Sequence, residues 1–257
     1  MTNDQDPLFS VAGLGVLVAG GAGGLGLPIS RELCRRDARV VIADIDEGKA
    51  VACARTLADA GGWAAGIGID VVATESCAAA IRQVEGRCGG IDGLVNASGI
   101  YRVASALELT DADWERSIDI NLTGAFRLAR AAGASMVPRG RGSIVTITSV
   151  SSLVANRNYA AYAASKAGAA HVTRVLATEW AEAGVRVNAL GPAVTPTPLA
   201  AEIVGDPAMR EAALARIPMR RFGTPEDLLA TIVFLLAPGS RFVTGQVLYV
   251  DGGRTIS

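Results

Sequence analysis

Histidine is nearly absent from this sequence. His171 is the single histidine among 257 residues, which excludes a histidine-based triad or a multi-histidine metal site unless this residue acts alone. Because His171 follows Lys166 by five residues, we expect it to pack or to face solvent. We predict no metal site.

Cysteine is also scarce, and none of the cysteines has C-x-x-C spacing. The residues are Cys34, Cys53, Cys77 and Cys88. Each falls in a segment with the pattern of a helix. We therefore expect reduced structural thiols rather than disulfides or metal ligands.

The sequence lacks an excess of charge of either sign and lacks a long apolar run. Its 24 Lys and Arg residues against 25 Asp and Glu residues leave a formal net charge of -1, so no basic surface for nucleic acid or an anionic membrane is expected. The longest apolar run, residues 228–237, is too short to span a bilayer. Residues 1–10 lack the progression of a signal peptide and are expected to form a flexible extension. These features favour a cytoplasmic protein with a small-molecule partner.

What the sequence does contain is an alternation of Val- and Ile-rich runs with longer Ala-rich amphipathic segments. The continuous hydrophobicity of the short runs suits strands buried on both faces of a parallel sheet, with helical crossovers between them. Length alone permits two domains, but no linker or repeat interrupts the alternation. We predict one α/β domain over residues 1–257, a doubly wound parallel sheet of about seven strands flanked by helices. The predicted strands are residues 15–19, 39–44, 65–70, 93–96, 143–148, 185–190 and 247–250.

One insertion stands between a predicted strand end and the next core element. Proline-rich residues 192–198 are followed by a helical pattern over residues 199–216. A mobile lid over the substrate, covering residues 192–218, is the hypothesis that this placement favours.

A glycine-rich loop, residues 19–26 with the sequence AGGAGGLG, follows the first predicted strand and opens a helix predicted to run to Arg36. Glycines let the backbone approach a pyrophosphate, whose charge is met by free N–H groups and the positive end of the helix. A flexible turn would explain an isolated glycine cluster. Here strand, loop, helix and second strand follow in order, which predicts dinucleotide binding. The cofactor-binding residues predicted in the loop are Gly20, Gly24, Leu25 and Gly26.

The ends of the next predicted strands supply further candidates for cofactor binding. Asp44 closes the second strand, where a carboxylate can accept hydrogen bonds from the adenosine ribose and would repel a 2′-phosphate. Ile45 stands where a phosphate-binding arginine could be, so NAD is favoured over NADP, although Asp44 can also be read as a surface acid. The third and fourth strand ends are expected to line the crevice with Asp70, Val71, Asn96, Ala97 and Gly99.

A tyrosine and a lysine are spaced for proton transfer. If residues 158–183 form a helix, Tyr162 and Lys166 lie one turn apart on the same face. The ammonium would then lower the pKa of the phenol towards the working range of an acid or base. Ser149, thirteen residues before the tyrosine, would hold the same substrate oxygen. The pattern predicts redox chemistry between an alcohol and a ketone.

Together these motifs give the chain, from Gly13 to Gly253, a resemblance to the short-chain dehydrogenase/reductase superfamily. Residues 19–26 are similar to its T-G-x-x-x-G-x-G loop, and Asn96, Ala97, Ser98 and Gly99 to its N-N-A-G turn. The active-site asparagine of the family corresponds to Asn121, followed in order by Ser149, Tyr162 and Lys166.

The resemblance implies a single Rossmann-like domain, usually assembled as a homotetramer. It implies that Tyr162 is the general acid and base, that Lys166 tunes it and binds the nicotinamide ribose, and that Ser149 polarises the substrate oxygen. It also implies that Asn121 holds a water of the proton relay. Nicotinamide contacts carry over to Pro192, Thr195 and Thr197.

The chain departs from the family pattern at three positions. Ala19 replaces the threonine whose hydroxyl ties the glycine loop to the N-N-A-G turn, and Ser98 replaces the alanine of that turn. We expect Ser98 to compensate for the lost tie. Ala193 stands where the family has the glycine of a P-G pair, which restricts the backbone there.

For the substrate, residues 176–181 and the pair Asn156 and Arg157 resemble members that act on polyols, sugars and sugar acids. Asn156 is a candidate donor or acceptor for a substrate hydroxyl, although it can equally serve a turn. The alternative within the superfamily is a 3-ketoacyl reductase using NAD(P)H, which often carries a basic residue in place of Thr178. An alternative of another class is a dinucleotide-binding sensor or scaffold, against which the complete catalytic set argues.

The predicted helix over residues 158–183 has little side-chain bulk beside Tyr162, so a second helix can approach closely. We expect it to form a subunit interface as well as part of the active site. The small residues are Ala163, Ala164, Ala167, Gly168 and Ala170.

Overall fold

A seven-stranded parallel sheet forms the centre of the protein, in a computed structural model that describes residues 6–257. The strands are β1 (Gly15–Ala19), β2 (Arg39–Asp44), β3 (Trp63–Gly68), β4 (Gly93–Asn96), β5 (Gly142–Ile147), β6 (Val185–Pro192) and β7 (Val247–Val250). They are ordered β3-β2-β1-β4-β5-β6-β7 in the sheet. Helices connect successive strands and cover both faces of the sheet.

One connection between two α-helices is a π turn. This turn, Asp119–Gly124, joins the helices Asp111–Ile118 and Ala125–Met136. Short 3₁₀ helices occupy several connections. The α-helices are α1 (Gly26–Arg35), α2 (Glu47–Asp59), α3 (Thr74–Cys88), α4 (Asp111–Ile118), α5 (Ala125–Met136), α6 (Ala160–Trp180), α7 (Ala201–Gly205), α8 (Pro207–Ala215) and α9 (Pro225–Leu236).

Alternate residues of the central strand, β1, pack into two separate hydrophobic cores. Val16 and Val18 of β1 pack with α1 and α9 on one face of the sheet. Leu17 and Ala19 pack with α3 and α5 on the other face. The two faces are both apolar because both are covered, which explains why the strand sequences are continuously hydrophobic.

The sheet and its class agree with the sequence prediction, while some strand ends differ. The third strand, predicted at residues 65–70, begins at Trp63 and ends at Gly68. Trp63 pairs with Arg39 of β2, whose guanidinium lies 4.6 Å from the centre of the indole ring. This cation–π contact extends the pairing towards the start of the strand.

Helix α6 is shorter than the predicted residues 158–183. Asn158 has a φ of 69°, a left-handed conformation that an α-helix does not accept. At the other end, Gly184 has a φ of 71° and closes the turn that follows Trp180. The helix therefore begins at Ala160.

The predicted helical pattern over residues 199–216 is divided into three pieces. A 3₁₀ turn, Pro198–Ala200, is followed by α7 and then by α8. Asp206 separates the two α-helices because its extended backbone precedes Pro207, and its carboxylate caps α8 by accepting from the Met209 N–H at 2.7 Å. The insertion is thus two short helices joined at a sharp break.

The N-terminal segment differs in part from the flexible extension expected for residues 1–10. Residues 1–5 lie outside the described part of the chain. Pro7–Phe9 form a 3₁₀ turn capped by Asp6. The ring of Phe9 lies 6.3 Å from that of Phe234 on α9. No helix among residues 6–257 has both the length and the apolarity needed to cross a membrane.

All cysteines lie on helices, as predicted, and are free thiols. Burial raises the pKa of the Cys34 thiol to about 11 and also raises the pKa values of Cys77 and Cys88. A raised pKa suppresses the reactive thiolate form. His171 lies on the exposed side of α6, as the sequence indicated.

Candidate active site

A cavity of about 1040 Å³ lies at the carboxyl ends of the strands. The strand order reverses between β1 and β4, and ligands of doubly wound sheets bind at such a reversal. Most of the predicted site residues line this cavity. They are Gly20, Gly24, Leu25, Asp44, Ile45, Asp70, Val71, Ala97, Gly99, Ser149, Asn156, Tyr162, Lys166, Pro192, Thr195 and Thr197.

The glycine loop is held by close backbone packing. A Cβ on Gly20 would lie 2.9 Å from backbone atoms of Ala97, and one on Gly26 would lie 2.1 Å from the carbonyl oxygen of Gly20. Gly24 has a φ of 50°, and nothing lies within 4 Å of the place where its Cβ would be. Gly26 therefore serves the packing of the loop and is not part of the cavity wall. Gly24 leaves an open backbone cradle of the kind that receives a phosphate group.

Asp44 joins the glycine loop to the end of β2. Its Oδ2 accepts from the Ala22 N–H at 3.2 Å, and its Oδ1 accepts from the Asp46 N–H at 3.3 Å. The carboxylate is thereby fixed at the cavity wall beside Ile45, whose side chain is 74% exposed. This placement suits recognition of a ribose hydroxyl.

One cation near the glycine loop was missed by the sequence reasoning. The Nζ of Lys49 would lie 3.1 Å from a Cβ on Gly23. Lys49 lies on α2, outside the loop motif, and reaches back because α2 begins directly after β2. The sequence signal for this cation is the place of Lys49 in the first turn of the helix that follows β2.

The turn after β4 is held differently from the way the sequence suggested. The hydroxyl and the N–H of Ser98 both donate to the side-chain oxygen of Asn96, so Ser98 stabilises its own turn. The expected compensation for Ala19 by Ser98 is therefore wrong. The loop and turn are joined instead by the backbone, through the Ala97 N–H and the Ala19 carbonyl at 2.9 Å. Asn96 is buried in this network and does not line the cavity.

Ser149, Tyr162 and Lys166 meet at the cavity wall. Ser149 follows the end of β5, while Tyr162 and Lys166 lie one turn apart on α6. The Nζ of Lys166 lies 5.9 Å from the centre of the Tyr162 ring and donates to the Ile147 carbonyl at 3.0 Å. All three residues are buried within the chain and open only to the cavity.

The pKa of the phenol differs from the expectation that Lys166 lowers it. Burial raises the pKa of Tyr162 to about 12, and the negative potential of the Tyr159 phenol adds to the increase. The Ser149 hydroxyl opposes this rise by hydrogen bonding to the phenolate. Burial also lowers the pKa of Lys166 to about 8. Tyr162 and Lys166 lie one turn apart on α6, as the spacing predicted, but burial is the main cause of both pKa shifts.

Asn121 lies on the π turn and is buried beneath the cavity wall. Its Nδ2 donates to the Ile100 carbonyl at 3.0 Å and to the Ser165 hydroxyl at 3.1 Å, and its Oδ1 accepts from the Ile100 N–H at 2.8 Å. These contacts fix the loop after β4 against α6. π turns often occur at functional sites, and this one directs the Asn121 amide inward.

Two further tyrosines surround Tyr162 and were not predicted. The Tyr101 and Tyr159 rings lie 5.1 and 6.0 Å from the Tyr162 ring, in edge-to-face contact. The Tyr101 hydroxyl donates to the Tyr159 hydroxyl, and burial raises the pKa of Tyr101. The spacing of Tyr159 and Tyr162 could have indicated a contact. Tyr101 arrives through a loop, for which the sequence carries no signal.

Asn156 lies at the cavity wall, in the connection between β5 and α6. Its Oδ1 accepts from Arg216 at 3.0 Å and from Arg254 at 3.3 Å. Both arginines line the cavity, and neither was predicted. They come from the end of α8 and from the turn after β7, so only the tertiary fold brings them to Asn156.

Comparison with known proteins places this chain among dehydrogenases and reductases. A family described as enoyl-(acyl carrier protein) reductase matches residues 20–255. The chain is 38% identical to 2-(S)-hydroxypropyl-CoM dehydrogenase 3 of Xanthobacter autotrophicus, over 93% of this chain and 96% of that protein. It is 38% identical to galactitol 2-dehydrogenase (L-tagatose-forming) of Cereibacter sphaeroides, over 98% and 99% of the two chains.

Among solved structures, the chain is similar to a gluconate 5-dehydrogenase from Burkholderia cenocepacia, crystallised in complex with NADP and tartrate. The TM-score is 0.95 and the sequence identity is 36%, and the match covers 98% of each chain. The similarity extends over the whole sheet and its helices.

The packing of the glycine loop predicts different outcomes for two alanine substitutions. In Gly26→Ala the new methyl group would lie 2.1 Å from the Gly20 carbonyl oxygen, so the loop must shift. We expect a loss of roughly 1–3 kcal/mol in the free energy of unfolding, or more, together with weaker dinucleotide binding. In the control Gly23→Ala, the methyl group would meet only the flexible end of Lys49, at 3.1 Å. Equal thermal stabilities of the two variants would contradict this reading of the loop.

Proposed function

Because the chain belongs to the short-chain dehydrogenase/reductase superfamily, we propose that it is an NAD-dependent oxidoreductase that interconverts a secondary alcohol and its ketone. The observation that carries this proposal is the meeting of Ser149, Tyr162 and Lys166 at the wall of the cavity. The substrate class is a polyol, a sugar or a hydroxy acid. The names of similar proteins, which include galactitol and gluconate dehydrogenases, support that class.

The residues at the carboxyl ends of the strands fit a dinucleotide. The open cradle at Gly24 would receive the pyrophosphate, and Asp44 would accept hydrogen bonds from the adenosine ribose. Lys166 would bind the nicotinamide ribose, and Pro192, Thr195 and Thr197 would contact the nicotinamide amide. A bound NAD would supply the acceptor for the hydride of the alcohol carbon.

The chain's own residues manage the proton. In the oxidation, the Tyr162 phenolate takes the proton of the substrate hydroxyl, and the carbon that bears this hydroxyl loses its hydride. The O–H and C–H bonds break, and the C–O bond becomes C=O. The Ser149 hydroxyl donates to the substrate oxygen and orients it. Asn121 would hold a water that extends the proton path from Lys166, through the lone pair of Oδ1 that the Ile100 N–H leaves available.

Residues 192–218 would form the lid that closes over the substrate. Leu199, Ile203, Met209 and Ile217 present apolar side chains to the cavity, which would exclude water from the reacting atoms. The break at Asp206 allows α7 and α8 to change their relative orientation without unwinding either helix.

The first test of the mechanism is Tyr162→Phe. This change keeps the ring and removes the acid and base, so turnover should fall by at least the ~10²–10⁴-fold typical of lost proton transfer, with NAD affinity little changed. Tyr249→Phe is the matched control, since the Tyr249 hydroxyl bonds to Ser152 at 2.9 Å and does not line the cavity. Near-normal turnover by Tyr162→Phe, followed through NADH absorbance, would contradict the mechanism.

The same assignment determines the sign of the pH dependence. Because the pKa of Tyr162 is raised to about 12, the ionised fraction is small at neutral pH and grows as the pH rises towards that value. The rate of alcohol oxidation by the wild-type protein should therefore increase with pH. Tyr162→Phe should lose this dependence along with its activity.

The choice of NAD over NADP is supported by Asp44 and weakened by Lys49. The Asp44 carboxylate at the cavity wall would face a 2′-phosphate and repel it. The Lys49 ammonium beside Gly23 would attract the same phosphate. The Asp44 carboxylate is fixed by two hydrogen bonds, whereas the Lys49 ammonium is at the end of an exposed, flexible side chain. The carboxylate should therefore have the larger effect on the choice of cofactor.

Steady-state kinetics with both cofactors test this choice. The wild-type protein should have the higher kcat/KM with NAD, and Asp44→Ala combined with Ile45→Arg should shift the preference towards NADP. Lys49→Ala should reduce the use of NADP and leave that of NAD unchanged. Comparable efficiencies of the wild-type protein with the two cofactors would refute the proposed preference.

A homotetramer is the proposed assembly, with α6 at a subunit contact. Ala170, which the sequence suggested for this contact, is buried within the chain. The small side chains that α6 exposes are those of Ala164 and Ala167, which would let a helix of another copy approach closely. The cytoplasmic location stays a prediction from composition.

Light scattering at micromolar concentration tests the assembly. The wild-type protein should have the mass of a tetramer, and Ala167→Arg should reduce it because a long charged side chain would enter the contact. Thr56→Arg places the same side chain on the exposed surface of α2 and should leave the mass unchanged. A wild-type mass equal to that of one chain would show the proposal to be wrong.

A further inference from the structure

Two positively charged side chains converge on one neutral oxygen at the cavity wall. The Oδ1 of Asn156 accepts from Nη1 of Arg216 at 3.0 Å and from Nη2 of Arg254 at 3.3 Å. The two guanidinium nitrogens are therefore at most 6.3 Å apart, the sum of these two distances. Arg216 is exposed and Arg254 is half-buried, so solvent screens part of the repulsion between these like charges, and an amide oxygen neutralises neither.

No carboxylate forms a direct ion pair with these two side chains within residues 6–257. Neither arginine is among the ion pairs of that part of the chain. The nearest acidic side chain in sequence to Arg254 is that of Asp251, whose oxygens accept from the Gly253 N–H, the Thr255 N–H and the Thr255 hydroxyl. The carboxylates of the cavity wall belong to the strand ends and to the region of α4. They are Asp44, Asp70, Glu115 and Asp119.

The arginine pair is connected to the reacting groups through Asn156. The Nδ2 of Asn156 lies 3.4 Å from the Ser151 hydroxyl, and the Ser151 N–H donates to the Ser149 hydroxyl oxygen at 3.1 Å. Asn156, Arg216 and Arg254 also line the same cavity as Tyr162. A substrate whose hydroxyl group meets Ser149 and Tyr162 would thus share the cavity with the two arginines.

We propose that Arg216 and Arg254 form an anion subsite for a carboxylate of the substrate, which makes a hydroxy acid the preferred substrate over a neutral polyol or sugar. This inference rests on the proposed function and names its substrate class. A carboxylate has two oxygens, so it can accept from both guanidinium groups and remove their repulsion. Asn156 holds the two side chains in place by offering a shared acceptor.

The subsite would also couple the substrate to the lid. Arg216 directly follows α8, and Arg254 follows β7. A carboxylate bound by both would join the lid to the sheet while the hydroxyl group is held at Tyr162. Discrimination by this contact should therefore be expressed mainly in KM.

The experiment compares acids with neutral counterparts of the same carbon skeleton, using the full chain and NAD. The pairs are gluconate with sorbitol, threonate with threitol, and cis-4-hydroxycyclohexanecarboxylate with its hydroxymethyl analogue. We expect the wild-type protein to favour the acid in at least one pair. Arg216→Gln and Arg254→Gln should raise KM for that acid roughly ten- to hundredfold and leave KM for the neutral partner within a factor of about two.

Arg210→Gln is the matched control, because Arg210 lies on α8 but does not line the cavity. It removes the same charge from the lid and should change neither KM. Arg216→Lys should give an intermediate KM, since it keeps the charge and loses the planar fork. Equal kinetics for the acids and the neutral partners, or equal effects of Arg210→Gln and Arg216→Gln, would overturn the subsite.

Calorimetric titration of each acid in the presence of NAD separates this proposal from the proposed function. If no pair is turned over but an acid binds to the wild-type protein and not to Arg216→Gln, the subsite stands and the dehydrogenase assignment fails. If the neutral partners are turned over and no acid binds more tightly than its partner, the dehydrogenase assignment stands and the subsite fails. Inorganic phosphate is titrated separately. Binding of phosphate through both arginines, without any preference for acids, would indicate a site for a free anion and overturn the substrate assignment.

Discussion

The pairing of β1 with β2 on one side and with β4 on the other determines where every candidate functional group lies. From β1 the chain leaves towards one edge of the sheet, and it returns at β4 to continue towards the other. The loops at the carboxyl ends therefore diverge at this point and open a crevice between them. The glycine loop, Asp44 and the turn after β4 meet there because the parallel register aligns the strand ends. Ser149 joins them through β5, which pairs with β4.

Within that crevice, burial sets the chemistry of the ionisable groups. Burial of the charged Lys166 ammonium in an apolar environment is unfavourable in free energy. Its hydrogen bond to the Ile147 carbonyl offsets only part of this desolvation penalty. Tyr162 is disfavoured as a phenolate for the same reason. The two groups consequently remain closer to neutrality than their spacing alone implies, and a charge that enters the crevice will change both. This sensitivity follows from how deeply the two groups are buried and not from one particular contact.

The sequence predicted the architecture well because its signals are local. The Val- and Ile-rich runs identify strands, and the glycine loop and the spacing of Tyr162 and Lys166 each lie within a short segment. The break at Asp206 could also have been predicted, since an aspartate before proline is a helix start. Tyr101, Arg216 and Arg254 could not, because only the tertiary fold brings the loop after β4, the end of α8 and the turn after β7 to the same cavity. The pKa of Tyr162 was misjudged for a related reason, since the extent of burial depends on the assembled fold and spacing reports only neighbours.

The three tyrosines at the cavity wall bear on the chirality of the proposed substrate. Tyr101 and Tyr159 form a rigid aromatic wall against Tyr162, and the bond between their hydroxyls keeps both rings in place. If a substrate is held at its hydroxyl by Tyr162 and at its carboxylate by the two arginines, as proposed, it can rotate only about the axis that joins these points. An aromatic wall on one side of that axis would direct the bulkier substituent of the alcohol carbon to the other side. The two mirror-image forms of a hydroxy acid would then present opposite groups to the cofactor, and only one of them would present hydrogen.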